Sequence, residues 1–187
     1  MVAQENPDDV VALLREQHRD IRTLFDEVLA RTGEQRRHCF RRLVHLLAVH
    51  ETAEEEVVHP YARDALDRGD HVVDDRLAEE REAKRTLQHL ERLDPDGPEF
   101  VKEFTTLREA VLAHAEAEEE REFARLRAEG DPDRLRKMAR AVRAAEAVAP
   151  THPHPGTESA TKNLLLGPAA AVADRARDAV RGAFRND

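Results

Sequence analysis

Apolar residues recur three and four positions apart along four long stretches of the chain, the period of helices that bury one face. The first stretch runs from Asp8 to Ala30, with Val11, Leu14, Ile21, Phe25 and Val28 on one seam and His18 set among them; Thr32-Gly33 ends it. The second runs from Glu34 to Ala65 along Phe40, Leu43, Leu47, His50, Glu54, Val57 and Tyr61, with a disturbance expected at Pro60. The third, Val72 to Leu93, turns Val73, Leu77, Glu80, Ala83, Leu87 and Leu90 inward, and Asp94-Pro95-Asp96-Gly97-Pro98 breaks it. The fourth, Glu99 to Glu129, has Phe104, Leu107, Val111, His114 and Glu118 on its seam and closes at Gly130-Asp131-Pro132.

A fifth helix is predicted from Asp133 to Ala149, with Leu135, Met138, Val142 and Ala145 on one face. Residues 150–167 open with a run rich in Pro, Thr and His and read as a linker. An amphipathic helix is expected within 168–187, from Pro168 to about Phe184. The expected architecture is all-α: an antiparallel four-helix bundle over residues 1–149 with the fifth helix appended, then the linker and the C-terminal helix. The last two helices are assigned to packing or dimer contact, so the chain is expected to be a monomer or a homodimer.

Composition supports helices over sheet. Of the 187 residues, 37% are charged and only 4% aromatic, and alternating β-branched runs are absent. A net charge of −9 without a basic, aromatic-studded patch argues against a nucleic-acid partner. The single cysteine, Cys39, excludes an intrachain disulfide framework and reads as a small residue on a helix. No apolar run has the length of a secretory signal or a membrane span, so a cytoplasmic location with no membrane partner is expected.

The seams nevertheless carry polar groups where a plain bundle would place leucine. His18 lies between Leu14 and Ile21, His50 and Glu54 follow Leu47, and His114 and Glu118 follow Val111. Burying such groups without partners costs about 1–3 kcal/mol each, a cost that a shared metal ion removes. The pattern also repeats. His50 to Glu56 and His114 to Glu120 both read His-x-x-x-Glu-Glu-Glu, which sets His and the first Glu one turn apart on one face. His18-Arg-Asp-Ile-Arg aligns with Glu80-Arg-Glu-Ala-Lys, so His18 corresponds to Glu80. The chain thus reads as two helical hairpins, each with one ligand on its first helix and His-x-x-x-Glu on its second.

These motifs resemble those of the haemerythrin-like (HHE) family over about Val10 to Glu129. The resemblance implies a four-helix bundle holding two non-haem iron ions, bound by histidines and bridging carboxylates; here the implied ligands are His18, His50, Glu54, His114 and Glu118. The family usually has histidine on the third helix, and the matching position here is Glu80. That is similar to a subgroup with this replacement and a like C-terminal extension, and it makes Glu80 a carboxylate ligand. Tyr61, seven residues after Glu54, is either a phenolate ligand or a structural residue. Mixed imidazole and carboxylate donors suit iron, with manganese or zinc as alternatives.

The family's reversible oxygen carriers use histidine-rich sites. Here at most three histidines face three carboxylates, and anionic oxygen donors stabilise the ferric state. The resemblance therefore implies reaction with peroxide, oxygen or nitric oxide, with a catalase-like activity as one form. The alternatives are a non-enzymatic module that senses or stores oxygen or iron, and a metal-free helical interaction protein, which the repeated motif argues against. Of each Glu-Glu-Glu run only the first member is expected to point inward. His38, His45, His59, His71, His89, His152 and His154 are expected at the surface.

Overall fold

The computed structural model describes residues 8–129 and 131–147, and the elements among them are all helical. They are α1 (Val10–Ala30), α2 (Gly33–Ala53), a π-turn (Glu54–Val58), α3 (His59–Ala65), α4 (Gly69–Leu90), α5 (Pro98–Glu129) and α6 (Pro132–Glu146). None of the helices described is long and apolar enough to cross a membrane. The linker over 150–167, the helix over 168–187, His152 and His154 lie outside the described residues, as does the side chain of Ala145.

Short turns make α1, the α2–α3 rod, α4 and α5 successive antiparallel neighbours, the four-helix bundle predicted above. Asp9 caps α1 by accepting the Ala12 N–H at 2.8 Å. Gly33 opens α2 at φ +58°, a conformation that costs a side chain about 1–2 kcal/mol. Its N–H donates to Asp96 at 2.8 Å, and Arg36 donates to the Pro95 carbonyl at 2.7 Å, which ties the α1–α2 turn to the α4–α5 turn. At the other end Gly69 lets α4 begin against α3, since a Cβ there would stand 2.4 Å from the Arg63 carbonyl oxygen.

The second rod is not one continuous α-helix. Pro60 has no N–H, and in a regular α-turn its ring would meet the carbonyl of Glu56. The chain widens ahead of it: the His59 N–H reaches back five residues to the Glu54 carbonyl. The disturbance expected at Pro60 therefore falls over Glu54–Val58. It adds a residue to the turn and resets the face that follows. Val57, Val58, His59 and Ala62 are buried, and Tyr61 is only half-buried. The surface assignment of His59 is corrected: it is 2% exposed.

Two apolar clusters fill the interior. One gathers Ile21, Phe25, Leu43, Leu47, Leu87, Phe100, Phe104 and Val111, with Phe100 and Phe104 stacked at 5.4 Å. Cys39 belongs to it. The other gathers Val11, Leu14, Val57, Phe123 and Leu126 with Leu135, Met138 and Val142 of α6. The fifth helix thus closes one end of the bundle, using three of the apolar residues predicted for its face. Between the two clusters lies a layer of buried histidine and glutamate. On α1 it falls between Leu14 and Ile21, on α2 between Leu47 and Ala53, and on α5 between Val111 and Phe123.

Candidate metal centre

Helical periodicity sends His18, His50, Glu54 and Glu118 into this layer from α1, α2, the start of the π-turn and α5. Each offers a ligand atom within 4.8 Å of the others. The Nε2 atoms of His18 and His50 stand 3.1 Å apart. Glu118 lies 3.5 Å from His18 Nε2, and Glu54 lies 3.3 Å from His50 Nε2. Donors bound at about 2.0–2.2 Å to a common ion are spaced by about 3–4 Å, so these gaps suit a small cation. Both oxygens of Glu54 and Oε2 of Glu118 accept no hydrogen bond, although the residues are 0% and 1% exposed. Buried carboxylate oxygens left this way are the donors a dication would satisfy.

The far side of each ring is held. His50 Nδ1 meets the Gln17 side-chain oxygen at 2.7 Å, His18 Nδ1 meets Glu119 at 2.9 Å, and His114 Nδ1 meets Glu79 at 2.8 Å. Such partners direct Nε2 inward and raise its basicity, as they do behind metal-bound imidazoles. Phe123 stacks on the His18 ring at 5.5 Å. Gln17 in turn donates to Glu146 of α6.

His114 and Glu80 enter the same layer, though not the four-residue group. His114 is half-buried with Nε2 3.2 Å from Glu118. Glu80 is 2% exposed and accepts from His59 Nε2 at 2.8 Å. Tyr61 packs against the second apolar cluster beneath the Arg134 guanidinium, 4.7 Å from its ring centre, and is not brought into the group. His38, His45, His71 and His89 are exposed as expected.

Two further expectations change. Glu55, the second member of its run, keeps a side chain only 5% exposed, bonded to Lys84 Nζ at 2.6 Å, and Glu119 supports His18. Sequence reasoning also missed Glu51 and Glu122, buried at 5% and 2% exposure. Glu122 was accessible to it, because it continues the four-residue ladder of His114 and Glu118.

The electrostatics follow from carboxylates outnumbering cations in a buried layer. Burial, then the charge of Glu118, pushes the Glu54 carboxyl well above its ordinary range. Burial likewise raises Glu51 to about 8 and Glu122 to about 7. Burial keeps His50 neutral, with its pKa lowered to about 3. Burial also disfavours charge on His114, but the Glu118 charge and the hydrogen bonds to Glu118 and Glu79 outweigh it and hold the ring protonated. Lys84, buried against Glu51, Glu55 and Glu80, holds its proton more tightly than usual.

A helical bundle with paired His-x-x-x-Glu turns meeting in a buried layer is a cation-binding bundle. Residues 9–126 match the haemerythrin HHE cation-binding domain, and the chain belongs to that family. A curated relative from Nostoc sp. (strain PCC 7120 / SAG 25.82 / UTEX 2576), described as a DNA nickase, is 28% identical over 135 residues, 72% of this chain. The match covers 38% of that protein, so this chain spans well under half its length. No solved structure matches the chain.

Proposed function

We propose that this protein is a non-haem di-iron protein that reacts with peroxide or otherwise handles oxygen or nitric oxide. The carrying observation is the set of buried, unbonded carboxylate oxygens of Glu54 and Glu118 beside the Nε2 atoms of His18 and His50. Glu80 and His114 complete the implied ligand set. A cavity of about 500 Å³ between α4 and α5 reaches His18, His50, Glu80 and His114, past the small side chains of Ala83 and Ala110. It is a route for a small oxidant.

Iron bound in this layer would supply redox capacity and a coordination position for the oxidant. The chain's own residues do the rest. His18, His50 and His114 are oriented by Glu119, Gln17 and Glu79. Glu51 lines the cavity and pairs with Lys84 at 3.5 Å, which sets a carboxyl and an ammonium group along the oxidant's path. The apolar clusters bound the layer along the bundle on either side, so the cavity between α4 and α5 is where an oxidant would enter.

The alternative reading is a non-enzymatic module that senses or stores oxygen or iron. It is favoured by one link: Gln17 bonds both His50 and Glu146, which couples the site to α6. DNA nicking is the description of the relative alone and is not carried over here, because the match reaches 38% of that protein at 28% identity. Peroxide decay by the iron-loaded protein, followed as oxygen release, separates the two readings. Turnover supports the first; reversible oxygen binding with a spectral change and no turnover supports the second.

A further inference from the structure

We infer that the second cation of this centre is held by a carboxylate-rich set formed by Glu80, His59 and Glu122, in which His59 and Glu122 are ligands outside the paired His-x-x-x-Glu motifs. The inference rests on the di-cation reading above and names the residues of its second half.

Three helices bring the set together. His59 opens α3, Glu80 sits midway along α4, and Glu122 lies on α5 one turn beyond Glu118. The His59 ring lies between the two acids, with Nε2 2.8 Å from Glu80 and Nδ1 3.9 Å from Glu122. All three residues are 2% exposed. His59 is there only because the π-turn resets the helix face; without that extra residue the seam would continue through Val57 and Tyr61. π-turns of this kind occur frequently at functional sites.

A bland reading makes His59 a hydrogen-bonded core residue. That reading leaves too much unsatisfied. Both oxygens of Glu122, Oε2 of Glu80 and Nδ1 of His59 make no hydrogen bond. Arg76 answers them only in part: its Nη1 is engaged by Glu79 at 2.6 Å, and its Nε forms a long ion pair with Glu122 at 3.9 Å, with no hydrogen bond. Lys84 is committed to Glu55 at 2.6 Å and reaches Glu80 only at 3.8 Å. The unbonded oxygens of Glu54 and Glu118 belong to the same layer, so they supply the carboxylates the two ions would share. A donor set with one imidazole and several carboxylates suits iron or manganese.

Manganese(II) titration of the full-length, metal-free protein tests this, with bound metal counted by mass spectrometry and spin coupling read by electron paramagnetic resonance. The wild type is expected to take up about two ions per chain with a coupled spectrum. Glu122→Gln and His59→Gln should each hold about one, uncoupled, with unchanged far-UV dichroism. Either folded variant retaining two coupled ions overturns the inference and leaves the di-cation reading standing. A wild type that binds a single ion also overturns it. A wild type that binds none removes the di-cation reading as well.

Discussion

Replacing Glu54 by glutamine should stabilise the metal-free protein while weakening its response to metal. Glu54 is fully buried and neither carboxylate oxygen accepts a hydrogen bond. A buried unsatisfied group costs about 1–3 kcal/mol, and the amide of Glu54→Gln can donate to the unbonded Oε2 of Glu118. At about 2–4 °C per kcal/mol for a chain of this size, the metal-free variant should melt roughly 2–12 °C higher. The gain depends on pH with a definite sign. The raised carboxyl of Glu54 means that the folded protein keeps a proton which the unfolded chain loses above its ordinary value of 4.5. The wild type therefore loses stability as pH rises, and the variant's advantage should be near zero at about pH 4.5 and largest near pH 8.

Metal works against that gain. An ion present at about a thousand times its dissociation constant adds about 4.1 kcal/mol to the native state. Loss of a ligand that weakens binding by about 100-fold removes about 2.7 kcal/mol of that. Calorimetric melting of both proteins, with chelator and with iron(II) under anaerobic conditions, reads both effects. A metal-free variant that melts below the wild type at pH 8, or one that keeps the full iron-induced shift, refutes the reasoning.

Three further outcomes follow from the same layer. Glu79→Gln, which removes the carboxylate behind His114, should weaken iron binding by about 10–100-fold with little loss of helicity, measured by competition with a chromophoric chelator. Without metal, stability should fall as pH rises from about 4.5 to 8, because the unfolded chain loses above 4.5 the protons that folded Glu122 and Glu51 keep up to about 7 and about 8; it should fall again below about 4.5, where those two carboxyls no longer differ and unfolding still lets His50 (about 3 when folded) take up a proton. Melting curves across that range check both limbs. Phe123→Ala, which empties the second apolar cluster and takes away the ring stacked on His18, should cost about 3–5 kcal/mol by denaturant titration.

Much of this arrangement was legible in the residues. The seams of α1, α2 and α5 keep a 3.6-residue period up to the polar layer, so His18, His50, Glu54 and Glu118 could be placed on inward faces before any coordinates. The repeat of His-x-x-x-Glu joined them. What the pattern hid has physical causes. His59 follows a π-turn, and a period fitted to α-turns assigns it to solvent. Gln17, Glu79 and Glu119 sit one position off a seam, where a residue that supports an imidazole has the same polarity as one that faces water. Glu51, Glu55 and Lys84 are buried as a mutually compensating cluster, and charged residues on a helix flank give no sign of that until the neighbouring helix is in place.

The central claim is that a cation pair occupies the layer between the two apolar clusters. Anomalous diffraction at the iron edge, from crystals of protein purified after iron supplementation, measures this most directly. The account predicts a first iron peak among His18, His50, Glu54 and Glu118, with the second beside Glu80. An empty layer, or iron confined to exposed groups such as His89, Glu99 and Glu103, would contradict it.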